Sequence, residues 1–159
     1  MKGTGKVKKH EIALFLNVGG TYVRIAKSKV LKLEFDPKIE VYDFIADESP
    51  TSELEKYAPK ISGMPLAMYR DEKDFAAVWE YAYGLKTGGE AVTDCLLVYK
   101  FDEDSSTTGK FKAWKADCTV VVKSLDAVEG LVEFDLPFRG TVQKGFVTDS
   151  SGTPTFTEK

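Results

Sequence analysis

Lys110-Phe111-Lys112-Ala113-Trp114-Lys115-Ala116-Asp117-Cys118-Thr119-Val120-Val121-Val122, followed by Leu131-Val132-Glu133-Phe134-Asp135-Leu136-Pro137-Phe138-Arg139, decides the fold class. In the first run Trp114, Ala116, Cys118, Val120 and Val122 alternate with Phe111, Ala113, Lys115, Asp117 and Thr119. In the second, Val132, Phe134, Leu136 and Phe138 alternate with Glu133, Asp135, Pro137 and Arg139. A period of two puts one set on a buried face and the other outside. A third run, Thr141 to Thr148, and the closing Gly152-Thr153-Pro154-Thr155-Phe156-Thr157 complete a predicted β-meander. No reactive group is built into this wall, which points to a structural protein.

Upstream, a strand is predicted from about Ala91 to Phe101, and the polar stretch Asp102 to Gly109 turns it back toward Lys110. One helix is expected near residues 72–83, with Asp71 as cap, Phe75, Val78, Trp79 and Ala82 at i, i+3, i+4 and i+7, and Gly84 at its end. Its aromatic stripe is expected to pack on a sheet. Pro65 to Tyr69 reads as a short strand and Glu40 to Ile45 as another, with an exposed loop at Asp47 to Ser52. Ser52 to Tyr57 reads as one helical turn before Pro59. The predicted class is mainly β, an antiparallel sandwich with one flanking helix.

The chain has 159 residues, 43% hydrophobic and 30% charged, which suits one soluble domain with a real core. A net charge of −3 makes the whole chain no electrostatic match for nucleic acid. Cys95 and Cys118 each lie in an apolar strand. Buried thiols are favoured over a cross-strand disulfide, although the disulfide stays open. The basic start, Met1 to Lys9, is followed by an apolar run, Ile12 to Leu16, too short for a signal peptide. No run approaches the roughly 18 apolar residues of a membrane helix, so no membrane partner is expected.

Charge is uneven. Residues 1–33 hold eight Lys or Arg against Glu11, whereas residues 34–55 hold eight acids against Lys38. Solvated surface is one explanation of this contrast. The other is that the basic segment of one copy meets the acidic segment of the next, where complementary charge sets register. That alternative singles out Lys6, Lys8, Lys9, Glu34, Asp36, Asp47, Glu48 and Glu53 as interface residues.

Catalytic templates fail one by one, and no cofactor or metal is expected. His10 is the only histidine and lies in the basic start, poorly placed for a rigid triad. One His and two distant Cys do not make a zinc site. Asp102-Glu103-Asp104 begins like a calcium loop, but Thr107 stands where glycine is needed and Ala113 where a bidentate Glu is needed. Gly84 to Glu90 has the glycines of a phosphate loop, with Glu90 in place of lysine. An enzyme is not expected.

Several stretches, taken in order, resemble the major tail proteins of long, non-contractile-tailed phages and Gram-positive prophages. They are Phe15-Leu16-Asn17, Phe35-Asp36-Pro37-Lys38, Tyr42 to Glu48, Thr51 to Ile61, Pro65 to Tyr69, Gly140 to Gly145 and Pro154 to Thr157. Together they span the chain from about residue 13, and Tyr22-Val23-Arg24 departs from the tryptophan common in that family. The resemblance implies one tail-tube-like domain over 1–159 that forms hexameric rings stacked into a tube. The tube would surround a tape-measure protein, join tail-terminator or baseplate proteins, and conduct DNA without binding it specifically. It implies residence in the virion tail after assembly in the bacterial cytoplasm. Contact with the next ring would fall to the loop Val30 to Lys60 and to arms at residues 1–11 and 150–159. A lumen that passes DNA should repel phosphate, which nominates Asp117, Glu133 and Asp135 for the inner wall. Two alternatives stand beside this one: a monomeric β-sandwich module binding carbohydrate or protein, and another tail component, a completion or baseplate protein, with the same fold.

Overall fold

The computed structural model describes residue 1, residues 3–150 and residues 153–159. Lys2 of the basic start and Ser151 and Gly152 of the C-terminal arm lie outside the described residues. A single 3-10 turn, Lys9–Glu11, leads into β1 (Ile12–Val18). β1 turns into β2 (Thr21–Arg24) through Gly19 and Gly20, with φ of 58° and 90°. A two-residue hairpin turn with both φ positive matches strand twist and favours glycine at both places. The chain then forms β3 (Leu33–Glu34), β4 (Pro37–Tyr42), β5 (Thr51–Tyr57) and β6 (Lys60–Ala67), followed by α1 (Lys73–Tyr83). β7 (Val92–Glu103), β8 (Lys110–Thr119), β9 (Val121–Asp126), β10 (Leu131–Ser150) and β11 (Thr153–Glu158) complete it.

Nine of these strands make one antiparallel sheet in the order β2-β1-β7-β8-β10-β6-β3, with β9 and β11 also paired to β10. β10 organises the whole. Its first half lies between β6 and β9, and its second half between β8 and β11. The meander was expected to have separate strands at Leu131–Arg139 and Thr141–Thr148; they are one strand of 20 residues. Gly140, at φ 66°, sits in a bulge between Arg139 and Gln143 that bends the strand without ending it. The expected strand Lys110 to Val122 breaks instead, at buried Val120, whose amide turns to the Ala91 carbonyl at 2.8 Å.

The bend folds the sheet over its own core. Leu14, Leu16, Cys95, Leu97 and Cys118 from one portion meet Ile61, Met64, Leu66, Val132, Phe134 and Leu136 from the other. Ala77 and Val78 of α1 join this core. A smaller apolar cluster of Ala13, Phe15, Leu96, Val98, Ala113 and Val147 lies on the opposite face, packed against Tyr22, Phe111 and Phe156. β1 is therefore buried continuously from Ala13 to Leu16 rather than alternately.

α1 confirms the expected helix, with two corrections. Glu72, not Asp71, is its first cap. Its buried face is Asp74, Ala77 and Val78, while Trp79 is 41% exposed. The expected stripe packs on the sheet only in part: Val78 is buried and half-buried Phe75 lies against the core, whereas Trp79 and Tyr83 are exposed, with the Phe75, Trp79 and Tyr83 rings following one another at 6.2 and 5.8 Å. Cys95 and Cys118 are buried and free. The Cys95 thiol is held well above its ordinary pKa by its hydrogen bond with Cys118 and by burial.

Candidate assembly surface

The segment expected as a loop, Val30 to Lys60, is an ordered arm. Among the described residues β4 and β5 pair only with each other, forming a two-stranded sheet separate from the main one. The strand expected at Glu40 to Ile45 runs earlier, Pro37–Tyr42, and the helical turn expected at Ser52 to Tyr57 is β5. Glu, Leu and Lys favour a helix locally, and the cross-strand partner overrides that preference.

The arm has two faces. Ile39 is opposite Leu54 and Val41 opposite Ser52, with Ile39, Val41 and Leu54 all exposed. On the other face Lys38 lies 3.8 Å from both Glu40 and Glu55, and Glu40 is opposite Glu53. Two acids directly across a ladder repel each other. At the tip Tyr42 and Phe44 stack at 5.7 Å, the Phe44 amide donates to Asp47 at 3.4 Å, and Phe44 is 63% exposed beside a fully exposed Ile45. No arginine or lysine lies between Lys38 and Lys56.

Aromatic edges fasten the root of the arm to the body. Tyr57, Phe35, Trp114 and Tyr99 meet in succession at 6.0, 6.0 and 5.5 Å. The Ala58 amide donates to the Phe35 carbonyl at 3.0 Å and closes the base of the hairpin. Tyr99 Oη is buried without a hydrogen-bond partner among the described residues, and burial raises its pKa far above the ordinary value.

A second surface lies where the chain passes from β2 toward β6. Lys9, His10, Arg24 and Lys29 rim a groove of about 540 Å³ over Ile12, Ile25, Leu31 and Met64. No acid lines it. Lys9, Arg24 and Lys29 take part in no ion pair among the described residues. The nearest acid in sequence, Glu11, accepts the Lys8 amide at 2.6 Å. Asp74 secures the floor: its Oδ2 accepts the Ala26 and Lys27 amides at 3.1 and 3.0 Å.

The residues singled out by sequence are spread over several places. Lys6, Lys8 and Lys9 are exposed ahead of β1. Glu34 and Asp36 lie at the arm's root and are engaged within the chain, with Lys60 at 3.7 and 3.0 Å. Asp47 and Glu48 are at the tip and Glu53 on the charged face of β5, all exposed. Asp117 is exposed on β8, with Asp94 on one side and Arg139 on the other. Glu133 and Asp135 lie on the outward side of the first half of β10. Asp135 accepts the Gly63 amide at 2.7 Å and pairs with Lys123 at 3.8 Å, which ties β6 and β9 to β10. The three acids are not one cluster. Part of the expected C-terminal arm, from Thr153 to Glu158, is a strand on β10.

Arg24 and Lys29 were visible in sequence as basic residues, but nothing marked their convergence with Lys9. Among the described residues no three His, Cys, Asp or Glu side chains come together to hold a metal ion. Among the described residues no helix is long and apolar enough to cross a membrane.

No protein-family model and no curated protein matches the chain. Among solved structures, the fold is similar to the anti-feeding prophage cap (the AFP tube terminating cap), with TM-score 0.54 and 12% identity over 91% of this chain and 93% of that one. The anti-feeding prophage (AFP) baseplate aligns at TM-score 0.47 and 8% identity over 89% of this chain and 97% of that one. At 12% identity the likeness to the cap is one of fold alone.

Proposed function

We propose that this protein is a structural subunit of a phage or prophage tail, completed by copies of itself. The observation that carries this is the arm: a separate hairpin, residues 37–57, whose apolar face and tip are exposed. A lone two-stranded hairpin is marginally stable in water, and exposed apolar surface of this kind marks an interaction site. The sheet also ends in open edges at β2, β3, β9 and β11, places where another chain can add. The fold likeness to a tube terminating cap and the ordered resemblance to major tail proteins support the same assignment.

In its most specific form, the subunit is the tail tube protein itself, in hexameric rings stacked around a DNA-conducting lumen, with a tape-measure protein inside and terminator or baseplate proteins at the ends. It would be built in the host cytoplasm and function in the virion tail, as structure and not as an enzyme. A second assignment, a component that caps or completes the tube, is favoured by the nature of the cap structure. Both differ from a monomeric binding module in needing partners.

Negative-stain electron microscopy of the purified, concentrated protein tests the proposal. Tubes of many stacked rings are expected for the tube protein, and single rings for a terminator. A strictly monomeric species at high concentration overturns both.

A further inference from the structure

We propose that the tip of the arm of one copy seats in the basic groove of a second copy, so that the two surfaces form one heterologous joint. This rests on the self-assembly proposed above and names the partner surface. The tip presents three acids, Asp43, Asp47 and Glu48, around exposed Phe44 and Ile45. The groove presents Lys9, Arg24 and Lys29, with His10, around the apolar floor of Ile12, Ile25, Leu31 and Met64. Each surface is thus an apolar centre ringed by charge of one sign, and the two signs are opposite.

Neither surface is neutralised at home. The groove cations have no ion pair among the described residues, and the only lysines bordering the acidic stretch are Lys38 and Lys56 at the root of the hairpin. Within one copy the tip stays exposed and the groove stays open, so the contact is made between copies. Seating Phe44 and Ile45 would remove apolar surface from water, while the charged rims fix orientation and raise the encounter rate. Because tip and groove are different surfaces, the joint runs head to tail. Such a joint closes into rings or continues into an open stack, whereas a two-fold dimer would use one surface twice.

Charge exchange tests the joint. One variant carries Lys9→Glu, Arg24→Glu and Lys29→Glu; the other carries Asp43→Lys, Asp47→Lys and Glu48→Lys. Sedimentation velocity at low salt is expected to show each variant alone needing roughly 100-fold more protein to associate than the parent. An equimolar mixture should regain assembly, because the acidic tip of the first meets the native basic groove of the second, and the basic tip of the second meets the acidic groove of the first. Association of both variants at parental concentrations overturns the proposal. So does a mixture that stays dissociated, which would mean that tip and groove meet other surfaces. As a check independent of charge, a Phe44→Cys/Leu31→Cys chain assembled and mildly oxidised should give disulfide-linked oligomers, and monomers alone would overturn the joint. A parent that never associates refutes the self-assembly proposal itself, an outcome distinct from these.

Discussion

Asp74 is a charged side chain only 2% exposed, and three backbone amides explain its tolerance there. Its Oδ1 accepts Phe75 N–H at 2.7 Å in the first turn of α1, and its Oδ2 accepts Ala26 and Lys27. A carboxylate at a helix N-terminus is favoured by the peptide dipoles, and amides bonded to a charge are strongly held. Asp74→Ala leaves the Ala26 and Lys27 amides without partners at a loss of roughly 3 kcal/mol in urea unfolding, and Asp74→Asn, which keeps an acceptor, should lose less. Asp94 holds a comparable knot: it accepts Asn17 Nδ2 at 2.7 Å and the Tyr22 hydroxyl, fastening the β1–β2 turn to β7. Burial, then the Asp94 hydrogen bond and charge, push the Tyr22 phenol far above its ordinary 10.0, and burial does the same for Tyr99. A folded-state pKa above the unfolded value gives stability that is full below the unfolded pKa and declines as pH rises past it. The raised Cys95 thiol should start the fall in unfolding free energy above about 9, the two phenols should steepen it above about 10, and Tyr22→Phe/Tyr99→Phe should flatten only that upper part. Alkaline denaturation curves with ultraviolet phenolate absorbance check both statements.

At the scale of elements, β10 and the arm are governed by strand pairing. Gly145 shows how closely β11 lies on β10: a Cβ placed there would come within 2.8 Å of the Phe156 ring and collide with the Thr157 carbonyl. Gly145→Ala should displace β11 and destabilise the fold by roughly 1–3 kcal/mol, with the amides of β11 losing hydrogen-exchange protection before those of β7. The alternation along Leu131 to Arg139 was plain in sequence because this part of β10 has one wetter face and one dry face; along Trp114 to Val122 the same alternation runs across the break at Val120, and Ala113, expected outside, is buried in the second apolar cluster. The continuity of β10 through Gly140 was not, since a bulge and a turn share the same local signal of glycine with positive φ. The arm's β5 was missed for a related reason: Glu53-Leu54-Glu55 carries period two over too few residues to outweigh its helix formers. α1 was legible in extent, and Val78 and Phe75 of its expected stripe do face the core, but the buried side is centred on Ala77 and Val78, which leaves Trp79 and Tyr83 exposed.

For the whole molecule, the sequence contrast between residues 1–33 and 34–55 becomes two separated surfaces, a basic groove and an acidic arm. Exposed charges are screened over about 10 Å at 0.1 M salt. Assembly should therefore weaken as salt is raised toward 0.5 M, and light scattering across a salt series reads this directly; assembly indifferent to salt would leave apolar contact as its sole driver. The same surfaces place the residues expected at an interface unequally. Asp47 and Glu48 reach outward at the tip, whereas Glu34 and Asp36 are held by Lys60 within their own copy, its ammonium pKa raised by the hydrogen bond to Asp36. What the amino-acid order determined alone was the periodicity: a mainly antiparallel β chain, one helix, two buried thiols and a charge imbalance between neighbouring segments. Those properties are local, because side-chain direction alternates along the chain whatever its partner. Which edges pair, that β4 and β5 leave the body together, and that Lys9, Arg24 and Lys29 converge over an apolar floor were decided by tertiary structure. Strand partnership is a contact between residues distant in sequence, and no local pattern encodes which distant edge will fill it.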